Sequence, residues 1–529
     1  MTGEPEATPT ARVLMVQGTS SHAGKSTLVT ALCRVFARAG YTVAPFKAQN
    51  MANNAAVLND GSEIGRAQAI QALAAGVTPT PDMNPVLLKP RSDRTSQVIR
   101  LGRPWLTTDA RGFYDRKSEL WPTVTDALDR LRASHDIVII EGAGSPAEIN
   151  LAQYDIVNMR VARYANAPVL LVGDIDRGGV FASLYGTVML LTPEERALVR
   201  GFIINKFRGD PSLLTPGFGM LEDRTNVPTL GVLPYMELGG LPAEDGLELD
   251  SDGRLATSNN TDAVLDVVVI RLPRITSLDE FQPLAREAGV QLRFVRDTRA
   301  LGNPDLVIIP GTMATPADLA FLRERGLDDA IVSLHTSGTP VLGIAGGYQI
   351  LGQSITDPAG AELRGLGLLP VATTLTDVST NRRVRARMSM QSVIWPGYEH
   401  DEAASSDHEP FDAYEIRTGH TRPLPGAVTG DAPFAVTSTT GDDSADGSIS
   451  PDGLVVGSYL HGLLEVPALR RGLLGALAER KGVVLPPANA EQDTVEVAFD
   501  RLADALADHL DMQAIFDMVG LPMERTDAR

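Results

Sequence analysis

Val13-Leu14-Met15-Val16-Gln17, then Gly18-Thr19-Ser20-Ser21-His22-Ala23-Gly24-Lys25-Ser26-Thr27, then the run Leu28 to Ala39 read as a strand, a glycine-bounded loop and a helix. That is the order a phosphate-binding P-loop requires. Backbone N–H groups and the helix N-terminus would cradle phosphates, with Gly18, Thr19, Gly24, Lys25, Ser26 and Thr27 as the contacting residues. Lys25 would reach the terminal phosphates, and Ser26 would supply an Mg²⁺ ligand. Further along, Ile137-Val138-Ile139-Ile140-Glu141 ends an apolar strand on a carboxylate, which makes Glu141 the second metal candidate. Asn205-Lys206 follows another apolar strand and is expected to form a corner against the nucleotide base.

Short Val, Ile and Leu runs recur outward from this loop with helical segments between them: Val13 to Gln17, Ile137 to Glu141, Val169 to Asp174, Phe202 to Asn205 and Leu230 to Leu233. Such spacing predicts a parallel sheet wrapped by helices. After a polar stretch at about Asp250 to Thr261 a second series follows, with Leu265 to Ile270, Leu292 to Val295, Leu306 to Ile309, Val341 to Ile344 and Leu454 to Tyr459. Two α/β domains are therefore expected, over 1–250 and 262–529. Glu399 to Asp412 and Gly430 to Asp452, rich in Asp, Ser and Gly, read as solvated surface insertions. The tail from Thr494 to Met518 has the apolar spacing of one or two amphipathic helices and is expected to close the second domain.

The balance of charge excludes some function classes. With 66 acidic against 47 basic residues and a net charge of -19 over 529 residues, there is no basic excess to neutralise phosphates, so neither nucleic acid nor a membrane surface is expected as a partner. The polar start from Met1 to Thr10 lacks the basic and apolar regions of a secretory signal, and no apolar run approaches the roughly 20 residues of a membrane span. A single cysteine, Cys33, rules out an intrachain disulfide and fits a cytoplasmic location. Its place in the helix after the loop favours burial over reactivity.

Gly343-Ile344-Ala345-Gly346-Gly347 lies between Pro340-Val341-Leu342 and the expected helix start Tyr348-Gln349-Ile350-Leu351. Glycines on both sides of a central residue let a strained turn expose one side chain at a strand tip. The stretch resembles the Gly-x-Cys-x-Gly elbow of class I glutamine amidotransferases, with alanine where the nucleophilic cysteine stands. In Gly457-Ser458-Tyr459-Leu460-His461-Gly462, His461 takes the position of the catalytic base in that family. Ala345 has no lone pair to attack an amide, so glutaminase activity is expected to be absent.

The phosphate loop, one residue longer between Gly18 and Gly24 than the common Walker form, resembles that of dethiobiotin synthetase and its amidoligase relatives. Ser20 stands where the partitioning ATPases of similar fold carry an additional lysine, which weakens a switch-like ATPase reading. Lys47-Ala48-Gln49-Asn50-Met51-Ala52-Asn53-Asn54, Asp60 to Gln71, Asp82 to Pro90, Asp174-Ile175-Asp176-Arg177-Gly178-Gly179, Asn205 to Asp210 and Leu241 to Asp245 closely resemble the cobyric acid synthase family. On the expected helix from Glu63, Ile64, Gln68 and Gln71 share one face and Glu63, Arg66 and Ile70 another, so that one face packs while the other meets a polar ligand.

The resemblance implies a P-loop amidoligase domain followed by a glutamine amidotransferase-like domain. It implies an ATP-dependent enzyme of cobalamin biosynthesis that amidates the b, d, e and g carboxylates of adenosylcobyrinic acid a,c-diamide, with ATP and Mg²⁺ as cofactors. Gln49, Asn50, Asn53, Glu63, Arg66, Gln68, Asp174 and Asp176 become candidate contacts to the corrinoid substrate. Glutamine is the family's nitrogen donor, and ammonia is the donor expected here because of Ala345. Two more positions depart from the family pattern, Met313 where a lysine is common and Arg417 where a histidine is usual. The competing readings are a cobyrinic acid a,c-diamide synthase, which Lys47 to Asn54 and Glu63 to Gln71 disfavour, and a non-catalytic binding subunit, which the complete phosphate loop and Glu141 disfavour.

Overall fold

The computed structural model describes residues 11–52, 55–90, 95–236, 262–376, 380–396, 410–425, 432–438, 443–487 and 495–524. The chain forms two compact units, one of Met1–Ala56, Ser62–Asp245 and Gln492–Arg529, the other of Val57–Gly61 and Gly246–Glu491.

In the first unit, β1 (Arg12–Gly18), α1 (Lys25–Arg38), β2 (Val43–Phe46), β3 (Gln49–Met51), α2 (Arg66–Ala74), β4 (Val86–Pro90), β5 (Thr95–Arg100) and β6 (Arg103–Asp109) are followed by β7 (Ile137–Glu141), β8 (Val169–Asp174), β9 (Val199–Phe207) and β10 (Thr229–Pro234). The main sheet runs β10-β9-β8-β1-β7-β2 with every pairing parallel. Strands buried on both faces must be apolar throughout, and β7 and β8 are buried at every position. The strand order turns back at β1, whose neighbours are β8 and β7, so a crevice opens where their carboxyl ends diverge. Register places Val16 opposite Glu141 and Gly18 opposite Val172, which brings the carboxylate to the mouth of the phosphate loop. A smaller sheet, β3-β4-β5-β6, carries Gln49 and Asn50.

In the second unit, β11 (Leu265–Ile270), β12 (Val290–Val295), β13 (Leu306–Ile309), β14 (Val341–Ile344), α3 (Gly346–Leu351), β15 (Thr380–Met388), β16 (Phe411–Arg417), β17 (Phe434–Ser438), β18 (Asp443–Asp446), β19 (Ser448–Ile449), β20 (Val455–Ser458) and β21 (Leu460–His461) build two sheets. The first, β12-β11-β13-β14-β20-β19, is parallel except at its edge strand β19. The second, β18-β17-β15-β16-β21, is antiparallel and positions His461 opposite Tyr414.

Two expectations are corrected. Gly430 to Asp452 is not a solvated loop: it contributes β17, β18 and β19, and Asp446, Ser448 and Ser450 are buried. Composition treats Asp and Ser as solvent-seeking, whereas here the Asp446 carboxylate accepts from Ser458 Oγ at 2.5 Å and from the Tyr459 N–H, so its polarity is satisfied inside. The other acidic stretch, apart from its last residues in β16, lies outside the described residues.

The tail does not close the second unit. Its helices α4 (Val495–His509) and α5 (Met512–Val519) belong to the first unit and pack on α1. Phe36 and Phe516 meet at 4.5 Å between ring centroids. Arg34 Nε and Arg38 Nη1 pair with Asp500 and Asp504 at 2.8 and 2.6 Å. The Asp511 N–H donates to Leu230 O at 2.8 Å beside the edge strand β10. Amphipathic spacing says that a face is buried but not against which sheet. Among the described residues no helix is long and apolar enough to cross a membrane.

Candidate active site

The phosphate loop leaves β1 and enters α1 through Gly24, which caps the helix in a left-handed conformation at φ 93°. A β-carbon there would lie 2.1 Å from Asn205 Nδ2, so only glycine fits. Asn205, buried at the end of β9, donates through that nitrogen to Ala23 O at 2.9 Å. In this structure its amide braces the backbone of the loop. Lys206, next in the strand, has Nζ 3.2 Å from Asp174 Oδ2. The Thr19 N–H donates to Val172 O at 2.9 Å, which ties the loop to β8. Lys25 is buried and donates through Nζ to Ser20 O at 2.9 Å and Gly144 O at 3.2 Å. Both acceptors are neutral carbonyls that a phosphate oxygen would replace with a stronger, charged partner.

Glu141 sits at the centre of a buried polar cluster. Its Oε1 accepts from Ser26 Oγ at 2.7 Å and from Lys47 Nζ at 2.6 Å, and its Oε2 accepts from Gln71 Nε2 at 2.6 Å. Burial opposes ionisation of this carboxyl, but the Lys47 ammonium, helped by Ser26 and Gln71, outweighs it and holds the group below the usual carboxylate range. The Ser26 hydroxyl and the Glu141 carboxylate are neighbouring hard oxygen donors, a set that suits Mg²⁺. No group of three or more His, Cys, Asp or Glu assembles for a metal among the described residues, so an ion here would lean on phosphate oxygens and water, as Mg²⁺ ordinarily does. Lys47 and Gln71 lie in segments that resemble the family but were not among the candidate site residues. A lysine directly after the fully buried strand β2 was the available signal for the first; nothing local marked the second.

The helix expected from Glu63 begins instead at Arg66, and Glu63 lies in a short strand, Glu63–Gly65, in a buried ion pair with Lys89. Ile70 is buried too, so the two-faced reading of this segment fails. A nearby strand partner for the backbone and a counter-ion for the carboxylate from a strand farther along the chain override local helical spacing. Asn50 Nδ2 donates to Gln68 Oε1 at 3.0 Å, which brings those two candidates together. Gln49 Oε1 is buried with no partner among the described residues, and Arg66 is the first residue of α2. Asp174 Oδ1 accepts from the Asp176 N–H at 2.9 Å, and Asp176 lies 3.9 Å from Arg208 Nε. Asn53 lies outside the described residues.

In the second unit, Ala345 links β14 to α3 with φ 48° and ψ -109°, outside the regions an L-residue favours. A β-carbon on Gly347 would lie 2.0 Å from Ile309 O, so the helix starts this close to β13 only because glycine is there. The Ala345 N–H donates to Ser458 O at 2.8 Å. A β-carbon on Gly311 would lie 3.6 Å from Ala345 Cβ and 3.1 Å from His461 Cε1, so both side chains converge on that glycine. His461 is 1% exposed, stacks on Tyr414 at 5.1 Å and 12°, and has Nδ1 3.4 Å from Glu280 Oε2. Burial pushes the Glu280 carboxyl above its ordinary value, partly offset by His461. Glu280 was missed from the sequence because it lies 181 residues from its histidine. Cys33 is no substitute nucleophile: it is fully buried in α1, and burial followed by the charge of Glu141 pushes its thiol up.

Asp446 supports the same turn through Ser458, the register partner of Ile344. Burial raises its carboxyl from 3.8 to about 6. Because the folded value lies above the unfolded one, this group's stabilising contribution is complete below pH 3.8 and is lost as the pH rises through about 6. The loss is on the order of 3 kcal/mol. Asp446→Asn, which keeps an acceptor for the Tyr459 N–H, is expected to gain stability relative to the parent chain between pH 4 and 7.5. Denaturant unfolding of the second unit checks this, and a constant difference across that range contradicts it.

Two family models match the chain, one described as "CobQ/CobB/MinD/ParA nucleotide binding domain" over residues 14–246 and one as "CobB/CobQ-like glutamine amidotransferase domain" over residues 266–468. A cobyric acid synthase of Sorangium cellulosum (strain So ce56) is 49% identical over 521 residues, covering 97% of this chain and 99% of its own. A cobyric acid synthase of Dehalococcoides mccartyi (strain ATCC BAA-2266) is 47% identical over 516 residues, covering 96% and 98%. Among solved structures, PurLQS from Thermotoga maritima aligns with 41% of this chain and 98% of its own at 14% identity and a TM-score of 0.31, too low to add to the argument.

Proposed function

The chain belongs to the cobyric acid synthase family, and on that premise we propose that it amidates the b, d, e and g carboxylates of adenosylcobyrinic acid a,c-diamide with ATP, taking its nitrogen from ammonia. The observation that carries the nitrogen donor is Ala345, a methyl group at the tip of a complete elbow with His461 beside it. The nucleotide end of the site supports the ligase half. Lys25 exchanges two neutral carbonyl acceptors for phosphate oxygens and offsets the charge that develops as the terminal phosphoryl group moves. Ser26 and Glu141 would hold Mg²⁺, which would supply further charge neutralisation at the phosphates. A carboxylate of the corrinoid takes the phosphoryl group, and ammonia expels phosphate from the resulting acyl phosphate. Asn50, Gln68, Glu63 and Arg66, gathered where β3 meets the start of α2, are assigned to the acceptor end. A cytoplasmic location fits an ATP-consuming reaction of this kind.

The test uses the purified chain with the corrinoid, Mg·ATP and an ammonium salt, reading stepwise mass changes of the product. Amidation is expected with ammonium and not with glutamine, and Lys25→Met is expected to slow it by roughly 10²–10³-fold. No amidation with either donor overturns the enzyme reading.

A further inference from the structure

Gln71 is fully buried on α2, and nothing in the proposed reaction uses it. Its Nε2 donates to Glu141 Oε2 at 2.6 Å and lies 3.5 Å from Ser26 O, so one amide reaches both the carboxylate and the backbone of the residue beside it. The other half of the amide, Oε1, is buried without a partner among the described residues. Replacing this amide alone leaves Glu141 Oε2 buried without its donor, so it is the nitrogen that counts at this position.

The need for that nitrogen follows from how the carboxylate is tied. Ser26 and Lys47 both donate to Oε1, while Gln71 donates to Oε2. A carboxylate rotates easily about its terminal bond, and contacts at one oxygen do not fix its plane. A donor on the second oxygen does. The Ser26 hydroxyl can turn a lone pair toward a cation while its hydrogen still bonds Glu141 Oε1, so both of those anchors stay on one oxygen and the contact at Oε2 sets the plane. The helix is itself held: Gln68, three residues earlier and so on the same side of α2, accepts from Asn50 at 3.0 Å.

We propose that Gln71 is a positioning residue for that proposed reaction, fixing the plane of Glu141 so that its carboxylate and the Ser26 hydroxyl meet a divalent cation together. This rests on the reading that Ser26 and Glu141 are the cation's protein ligands. Removing a buried partner of a metal ligand lowers metal affinity by about 10–100-fold where such partners have been deleted. The side chain acts through Glu141 and needs no contact with substrate.

The full chain is titrated with Mn²⁺, read by electron paramagnetic resonance, in the presence of a non-hydrolysable ATP analogue, and analogue binding is measured separately in EDTA. Gln71→Met is expected to weaken Mn²⁺ by at least about 10-fold and to leave binding of the analogue in EDTA within about 2-fold. Mn²⁺ affinity within about 2-fold of the parent overturns the inference, and so does an equal loss in EDTA, which marks a general packing defect. If Gln71→Met does not fold, Gln71→Asn, an amide one methylene too short, is read by the same criteria. A parent chain that binds the analogue with no Mn²⁺ retained, or Ser26→Ala retaining Mn²⁺ in full, refutes instead the ligand reading beneath it.

Discussion

Ala345→Cys is expected to give a chain that amidates from glutamine as well as from ammonium, with the glutamine-dependent rate rising by at least about 10³-fold over the parent. Everything around the missing sulfur is built. The turn already holds residue 345 at φ 48° and ψ -109°, a conformation that for a non-glycine residue costs on the order of 1–3 kcal/mol and is kept only where the surroundings impose it. His461 converges on the same glycine as Ala345, stacked on Tyr414 and backed by Glu280. Loss of a nucleophile ordinarily removes nearly all of the rate that the whole constellation supplies, so its return to a preformed site is expected to restore much of it. The parent chain should show no glutamine-dependent amidation above background while ammonium supports turnover. Turnover of glutamine by the parent at a rate near that of ammonium would refute the account of the elbow. Failure of the cysteine variant, with ammonium-dependent turnover intact, would place the fault in the surrounding positions, with Met313 and Arg417 the first to restore.

Ending the chain at Glu491 is expected to unfold the first unit, although the cut lies some 250 residues beyond its last sheet strand. The tail buries Phe499, Leu502, Leu506, Ile515, Phe516 and Val519 in the cluster that also contains Leu28, Leu32 and Phe36 of α1. At about 1.5–3 kcal/mol for each of these six side chains, their removal forfeits roughly 9–18 kcal/mol, against the 5–15 kcal/mol that holds a typical domain. It also uncovers the edge of the sheet at Gly231, which the tail meets through Leu510. The point variant Phe516→Ala is expected to cost about 3–5 kcal/mol and to leave the rest of the tail seated. Denaturant unfolding together with nucleotide binding reads both. A truncated chain that still binds nucleotide with parent affinity and unfolds at the parent midpoint would contradict this packing.

Periodicity and motif spacing carried the reading of the fold a long way. Apolar runs at Ile137 to Glu141, Val169 to Asp174, Leu265 to Ile270, Leu306 to Ile309 and Val341 to Ile344 coincide with strands, because a strand buried on both faces admits little else. The phosphate loop and the elbow were legible for a related reason: each compresses a strand, a tight turn and a helix into adjacent residues, so the backbone demand shows as glycine at fixed offsets. Glu63 shows the opposite case. Its neighbours have helical spacing, but a buried lysine from another strand decides its conformation.

What the amino-acid order determined by itself was therefore local or chemical in kind: two α/β units, a loop made for phosphates with Lys25 and Ser26 in it, and a nucleophile elbow tipped by alanine. What only the tertiary structure decided was pairing across distance. It set Lys47 and Gln71 on the two oxygens of Glu141, Glu280 behind His461, Asp446 inside a sheet rather than in water, and the C-terminal helices against α1. Amphipathic spacing and charge state that a face or a carboxylate needs a partner. The partner is chosen only when strands far apart in the chain close into a sheet and bury both groups together, because a charge removed from water must find its counter-ion where the fold has placed one.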